Sequence, residues 1–74
     1  MHKSLEVQKL AKRIKSLRIQ KGYKSYENFA FDHGIPRSQY GRYETGTDIR
    51  YTSLLKIAQA FDMTLEELFS EGFD

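Results

Sequence analysis

Apolar positions recur every three to four residues along most of the chain, and no stretch reads as a strand, an internal repeat or a low-complexity segment. Val7, Leu10, Ile14 and Leu17 form one narrow stripe, widened by Ala11. That spacing predicts an amphipathic helix from a Ser4 cap to about Lys21, ended by Gly22, with lysines and Arg13 covering the remaining surface. Ser25 is placed to cap a second helix that opens with Tyr26 and Glu27 and turns Phe29 and Ala30 inward. The small Ala30 suits the closest point of two steeply crossing helices. His33-Gly34-Ile35-Pro36 supplies a stop and a restart, with Gly34 in a left-handed position and Pro36 at a helix opening. A third helix is expected over about 36–43, holding Tyr40 and Tyr43 on one side. Thr45 to Asp48 reads as a turn, with Gly46 left-handed. Leu54, Leu55, Ile57, Ala58 and Phe61 give a fourth helix a nearly all-apolar face, which predicts that it is the most buried. Thr64 to Glu67 is a capping box leading into Leu65, Leu68 and Phe69. The fold class expected is all-α, with five helices in a single domain over 1–74 and a core from about 4 to 69.

The third helix shows solvent a face of Arg37, Ser38, Gln39, Gly41 and Arg42. These side chains can bond base edges and phosphates, and arginine paired to guanine is the commonest specific groove contact. Gly41 in mid-helix costs about 1 kcal/mol relative to alanine, which close approach of another surface would explain. Two short helices about a tight turn, the second with such a face, predict a helix-turn-helix whose second member enters the major groove of double-stranded DNA. The pattern by itself leaves a second reading open, in which the arginines belong to an ordinary solvated face.

Composition narrows the alternatives. The chain has no cysteine, so no disulfide framework or thiolate metal site is expected, in agreement with a reducing cytoplasm. His33 faces inward and the other histidine, His2, lies in a terminus, which gives no metal-ligand pair. No apolar run approaches the roughly 20 residues of a membrane span. Paired histidines, a glycine-rich phosphate loop and a usefully spaced carboxylate pair are all missing, so an enzyme is not expected, nor any cofactor or small-molecule ligand. Charge is steeply graded: residues 1–24 carry eight basic side chains against Glu6, whereas residues 51–74 carry Lys56 against five acidic ones. Such a basic front half is compatible with a polyanionic partner, and equally with a solvated lysine-rich helix. Arg18 follows Leu17 closely enough to reach the core boundary, where a buried guanidinium needs an anion. Glu44, just past the third helix, is the best candidate, the alternative being two exposed charges.

LAKRIKSLRIQKG, FAFDHGIPRSQYGRYETG and SLLKIAQAFDMTLEELF together resemble the phage repressor and Cro-like family of helix-turn-helix regulators, over about residues 10–69. The resemblance implies a small transcriptional regulator that binds DNA sequence-specifically. It implies that Arg18 and Glu44 form a partly buried ion pair, that Ile35 plugs the turn, and that Tyr40 anchors the recognition helix. It puts Arg37, Ser38, Gly41 and Arg42 near bases and Gln39 nearer the phosphates. Tyr26, and the loop with Thr47, Asp48 and Arg50, are placed against the DNA backbone. Tyr26 stands where the family often has glutamine, the turn at Gly22 to Ser25 is one residue longer, and the loop after Gly46 lacks the usual Asn-Pro. The lysines of the first helix are expected to give long-range attraction. Two-fold symmetric operators imply a homodimer, with Phe69 and Phe73 either at its interface or folded back on the first helix. A protein-interaction module, such as an antitoxin that masks a partner, is the reading from another functional class.

Overall fold

A computed structural model describes residues 4–74, so His2 and Lys3 lie outside the described residues. Among these residues the secondary structure is five helices and no strand: α1 (Leu5–Gln20), α2 (Tyr26–Asp32), α3 (Arg37–Thr45), α4 (Tyr51–Ala60) and α5 (Leu65–Leu68). The start signals act as their chemistry predicts. Ser4 Oγ accepts from Val7 N–H at 3.1 Å, Ser25 Oγ accepts from Glu27 and Asn28, and Thr64 and Glu67 close a reciprocal capping box. Each satisfies donors that the first turn leaves unbonded.

The apolar stripes of the helices converge on one aromatic centre. Phe29 is fully buried, and its ring meets those of Tyr23, His33, Tyr40 and Phe61 at centroid distances of 5.2, 4.3, 5.1 and 4.9 Å. Ile14 and Leu17 from α1, Ile57 and Ala58 from α4 and Leu68 from α5 complete the cluster. Burying each large side chain contributes roughly 1.5–3 kcal/mol. α3 packs on both α1 and α2, which holds its inner side while leaving its outer side open.

Several expectations change. The third helix spans Arg37–Thr45 rather than 36–43, because Pro36 takes an extended ψ of 132° and serves as the N-cap. Glu44 and Thr45 therefore lie within α3. α4 is not the most buried helix: only Ile57 and Ala58 are buried, whereas α1 buries Ala11, Arg13, Ile14, Leu17 and Arg18. Helical geometry explains it. Leu54, Ile57, Ala58 and Phe61 share an arc of about 100°, and Leu55 projects about 60° beyond it, towards exposed Tyr51.

Arg13 also departs from the solvated face expected for it, being only 7% exposed. Its Nε donates to Leu68 O at 2.8 Å and its Nη2 to Glu67 O at 3.1 Å, while Nη1 reaches Glu71 at 3.3 Å. It thus bonds the carbonyls at the C-terminal end of the short α5, joining Ser70 at Glu67 O. Phe69 and Phe73 take the folded-back disposition: they line an apolar groove with Val7 and Leu10, and Lys9 Nζ donates to Phe73 O at 3.3 Å.

The hydroxyl of Tyr40 is buried without a hydrogen-bond partner. Burial pushes its pKa well above the usual phenol value, and the Glu44 carboxylate adds to the effect. A folded-state pKa above the unfolded value of about 10 stabilises the fold fully below that pH, and the contribution is lost as pH rises beyond it. Tyr40→Phe should therefore melt at or above the wild-type temperature at pH 7 and lose less stability between pH 10 and 11. Some alkaline loss persists through Tyr23, whose pKa is raised chiefly by its 2.7 Å hydrogen bond to Asp32. A fall of several degrees at pH 7 would show that the Tyr40 hydroxyl is bonded.

Candidate nucleic-acid interface

The turn before α3 sets the direction of that helix. Gly34 has φ +67°, a left-handed conformation that glycine adopts without steric penalty, and Ile35 N–H bonds back to Ala30 O at 2.9 Å. Ile35 is half-buried against the core cluster, so the turn is pinned by a hydrogen bond and an apolar contact together. Pro36 then fixes the approach, and Tyr40 N–H bonds to Pro36 O at 2.9 Å to start α3.

Tyr40 and Tyr43 are buried at 0% and 6% exposure, which assigns the inner side of α3. On the opposite side Arg37, Ser38 and Arg42 are exposed, Gly41 is half-buried, and the four share an arc of roughly 140°. Arg37 is 71% exposed and lies 3.8 Å from Glu27, a rim pair of little energetic weight. Gln39 is not on this face. It is half-buried on the flank, where its Nε2 donates to Tyr43 Oη. The sequence placed Gln39 among the exposed residues because it lies between them in the chain, but it falls about 100° round the helix from Ser38.

Gly41 has a neighbour inside the protein. A Cβ built there would come within 3.1 Å of Cε1 of Tyr26, in the first turn of α2. The ring of Tyr26 crosses the glycine and stacks towards Tyr40 at 6.4 Å. The mid-helix glycine was the signal for a close approach, and the approaching group is an aromatic ring of the same chain. Tyr26 is thereby held beside the outward face with 36% of its surface exposed. Thr47, Asp48 and Arg50 are exposed in the loop beyond α3, with no side-chain cap from Arg50 to α4. The length of α3, about 13 Å, separates them from Arg37.

One buried pair fixes α3 relative to the rest. Arg18 Nε donates to Glu44 Oε2 at 2.7 Å and Nη2 to Oε1 at 3.0 Å, with the side chains 6% and 8% exposed. Arg18 Nη1 also donates to the carbonyls of Tyr23 and Lys24, at 2.8 and 2.9 Å. A single guanidinium therefore ties α1 to the following turn and to the last turn of α3, and the bond to Glu44 raises its pKa further. The linear charge gradient is partly cancelled in three dimensions. The acidic end folds onto the basic helix through Arg13–Glu71 and Lys21–Asp62, at 3.3 and 3.8 Å.

Among the described residues no group of three or more His, Cys, Asp or Glu side chains is placed to hold a metal ion. None of the helices is long and apolar enough to cross a membrane.

Comparison with known proteins agrees with this geometry. A family model described as helix-turn-helix matches residues 14–68. A high-resolution crystal structure of the restriction-modification controller protein C.AhdI from Aeromonas hydrophila is similar at TM-score 0.78 and 36% identity, covering 89% of this chain and 100% of that one. No curated protein matches the sequence.

Proposed function

The chain belongs to the Cro/C1-type helix-turn-helix family and is a DNA-binding transcriptional regulator; we propose that it binds double-stranded DNA sequence-specifically, with α3 in the major groove. The observation that carries this reading is the division of α3. Its inner side is sealed by Tyr40 and Tyr43, and its outer side offers Arg37, Ser38 and Arg42 to solvent. Arg37 and Arg42 read base edges, and Ser38 positions the helix. Gly41 keeps the face low and seats Tyr26, whose hydroxyl is directed to a backbone phosphate. Thr47 and Arg50 meet the backbone at the far end of α3. Gln39 holds Tyr43 from the flank and acts on DNA through that contact. The likeness to a restriction-modification controller supports a controller's role for this chain.

The working form is a homodimer on a two-fold symmetric operator. Selection from a random duplex library should enrich an inverted repeat whose half-site centres lie one helical turn, about 34–36 Å, apart. Enrichment of a lone half-site would contradict the dimer, and failure to enrich any sequence would contradict specific reading.

A further inference from the structure

The basic residues of α1 and its C-cap, Lys21, divide according to whether they have a partner. Lys9 pairs with Glu6 at 3.7 Å, Arg13 with Glu71 at 3.3 Å, Arg18 with Glu44 at 2.7 Å and Lys21 with Asp62 at 3.8 Å. Lys12 and Lys15 are exposed and form no ion pair among the described residues. Of these two, Lys15 alone borders the outward face of α3. It lines a groove of about 470 Å³ with Tyr26, Ser38, Arg42 and Thr45, and the Arg18–Glu44 pair lines it too. The paired charges of Arg18 and Glu44 cancel, so Lys15 and Arg42 leave the groove with two uncompensated positive charges beside the hydroxyl-bearing side chains of Tyr26, Ser38 and Thr45.

That combination suits a phosphodiester, whose single charge is spread over two oxygens that accept from ammonium and hydroxyl donors. The geometry points to Lys15 as a defined contact to one DNA backbone phosphate seated in this groove, at the edge of the major groove that α3 occupies. The inference rests on the groove-binding role of α3 and adds to it a residue from outside the helix-turn-helix. Lys15 lies one turn before Arg18, whose two bonds to Glu44 lock α1 against α3. The backbone of Lys15 is therefore held at a constant offset from α3, and its flexible stem can bring the ammonium to a phosphate in the groove. Arg42, exposed and in no ion pair among the described residues, remains free to turn to the bases.

The test compares Lys15→Gln with Lys12→Gln, two exposed lysines one turn apart, in binding to a mixed-sequence duplex at several salt concentrations. Loss of one phosphate contact lowers the slope of log affinity against log salt by about 0.9. Lys15→Gln should show that change and weaken selected and mixed duplexes by the same factor, leaving sequence preference intact. Lys12→Gln should retain nearly the wild-type slope. Equal changes in both variants, or no change in Lys15→Gln, would overturn the assignment and return Lys15 to undirected attraction. Wild-type protein that binds no duplex at any salt would overturn the groove-binding reading as well, so the two failures are distinguishable.

Discussion

Glu44→Ala should destabilise the fold by about 3 kcal/mol or more, because removing one partner of a buried ion pair strands the other charge. Arg18 would keep its two carbonyl acceptors at Tyr23 and Lys24, which holds the expected loss towards the lower end of the usual range. It would lose both bonds to the carboxylate, in a site where its side chain is only 6% exposed. In a domain of this size each kcal/mol moves the melting temperature by about 4–8 °C, so a thermal melt should fall by at least roughly 12 °C. A double variant, Arg18→Met with Glu44→Leu, should melt above Glu44→Ala, since apolar replacement of both partners leaves no charge unpaired. A Glu44→Ala melt within about 3 °C of wild type would show that the pair holds little of the link between α1 and α3. The consequence extends to function: Glu44 lies in the last turn of α3, so its loss loosens the helix that presents Arg37 and Arg42.

Arg37→Ala and Arg42→Ala should act in the opposite way, leaving the fold intact and erasing sequence preference at particular base pairs. Both side chains are exposed, and neither contributes to the buried cluster. A bidentate arginine–guanine contact discriminates against the wrong base by about 1–3 kcal/mol, so each variant should lose that margin at one position of each half-site. Competition binding against single-base-pair variants of a selected duplex measures it directly. The affected positions should differ between the two variants, since the arginines lie five residues apart along α3, about 7.5 Å of axial rise. Loss spread evenly over all positions would make either residue a phosphate contact.

Much of this arrangement is legible in the chain because helical periodicity and end chemistry are local. The stripe through Ile14 and Leu17, the caps at Ser4, Ser25 and Thr64, and the turn at Gly34 each need only a few neighbouring residues to specify them. The Arg18–Glu44 contact is long-range, yet a charge at a core boundary demands a partner, and the resemblance to the repressor family singles out Glu44 among the ten acidic residues. What stays hidden is how far one element reaches over the margin of another. Arg13 sits about 100° from Ile14 on α1, a position equally suited to solvent or burial. The C-terminal carbonyls of α5 decide it. Gln39 and Ser38 are adjacent in sequence, and only the partner of Gln39, Tyr43, shows that it belongs to the flank. Gly41 signalled a close approach without naming the approaching group, which is Tyr26. The charge gradient likewise sums residues without pairing them, so the ties of Arg13 to Glu71 and Lys21 to Asp62 emerge only when the tail folds back.

The reading of bases by two guanidinium groups is tested most directly by the affinity ratio between a selected duplex and a mixed-sequence duplex. It should be measured for wild type and for the Arg37→Ala, Arg42→Ala double variant at one salt concentration. The double variant should melt as wild type does and should lose at least about tenfold of that ratio, the effect of 1.4 kcal/mol. A double variant that folds normally and keeps the wild-type ratio would contradict the account, since sequence would then be read by some other part of the molecule.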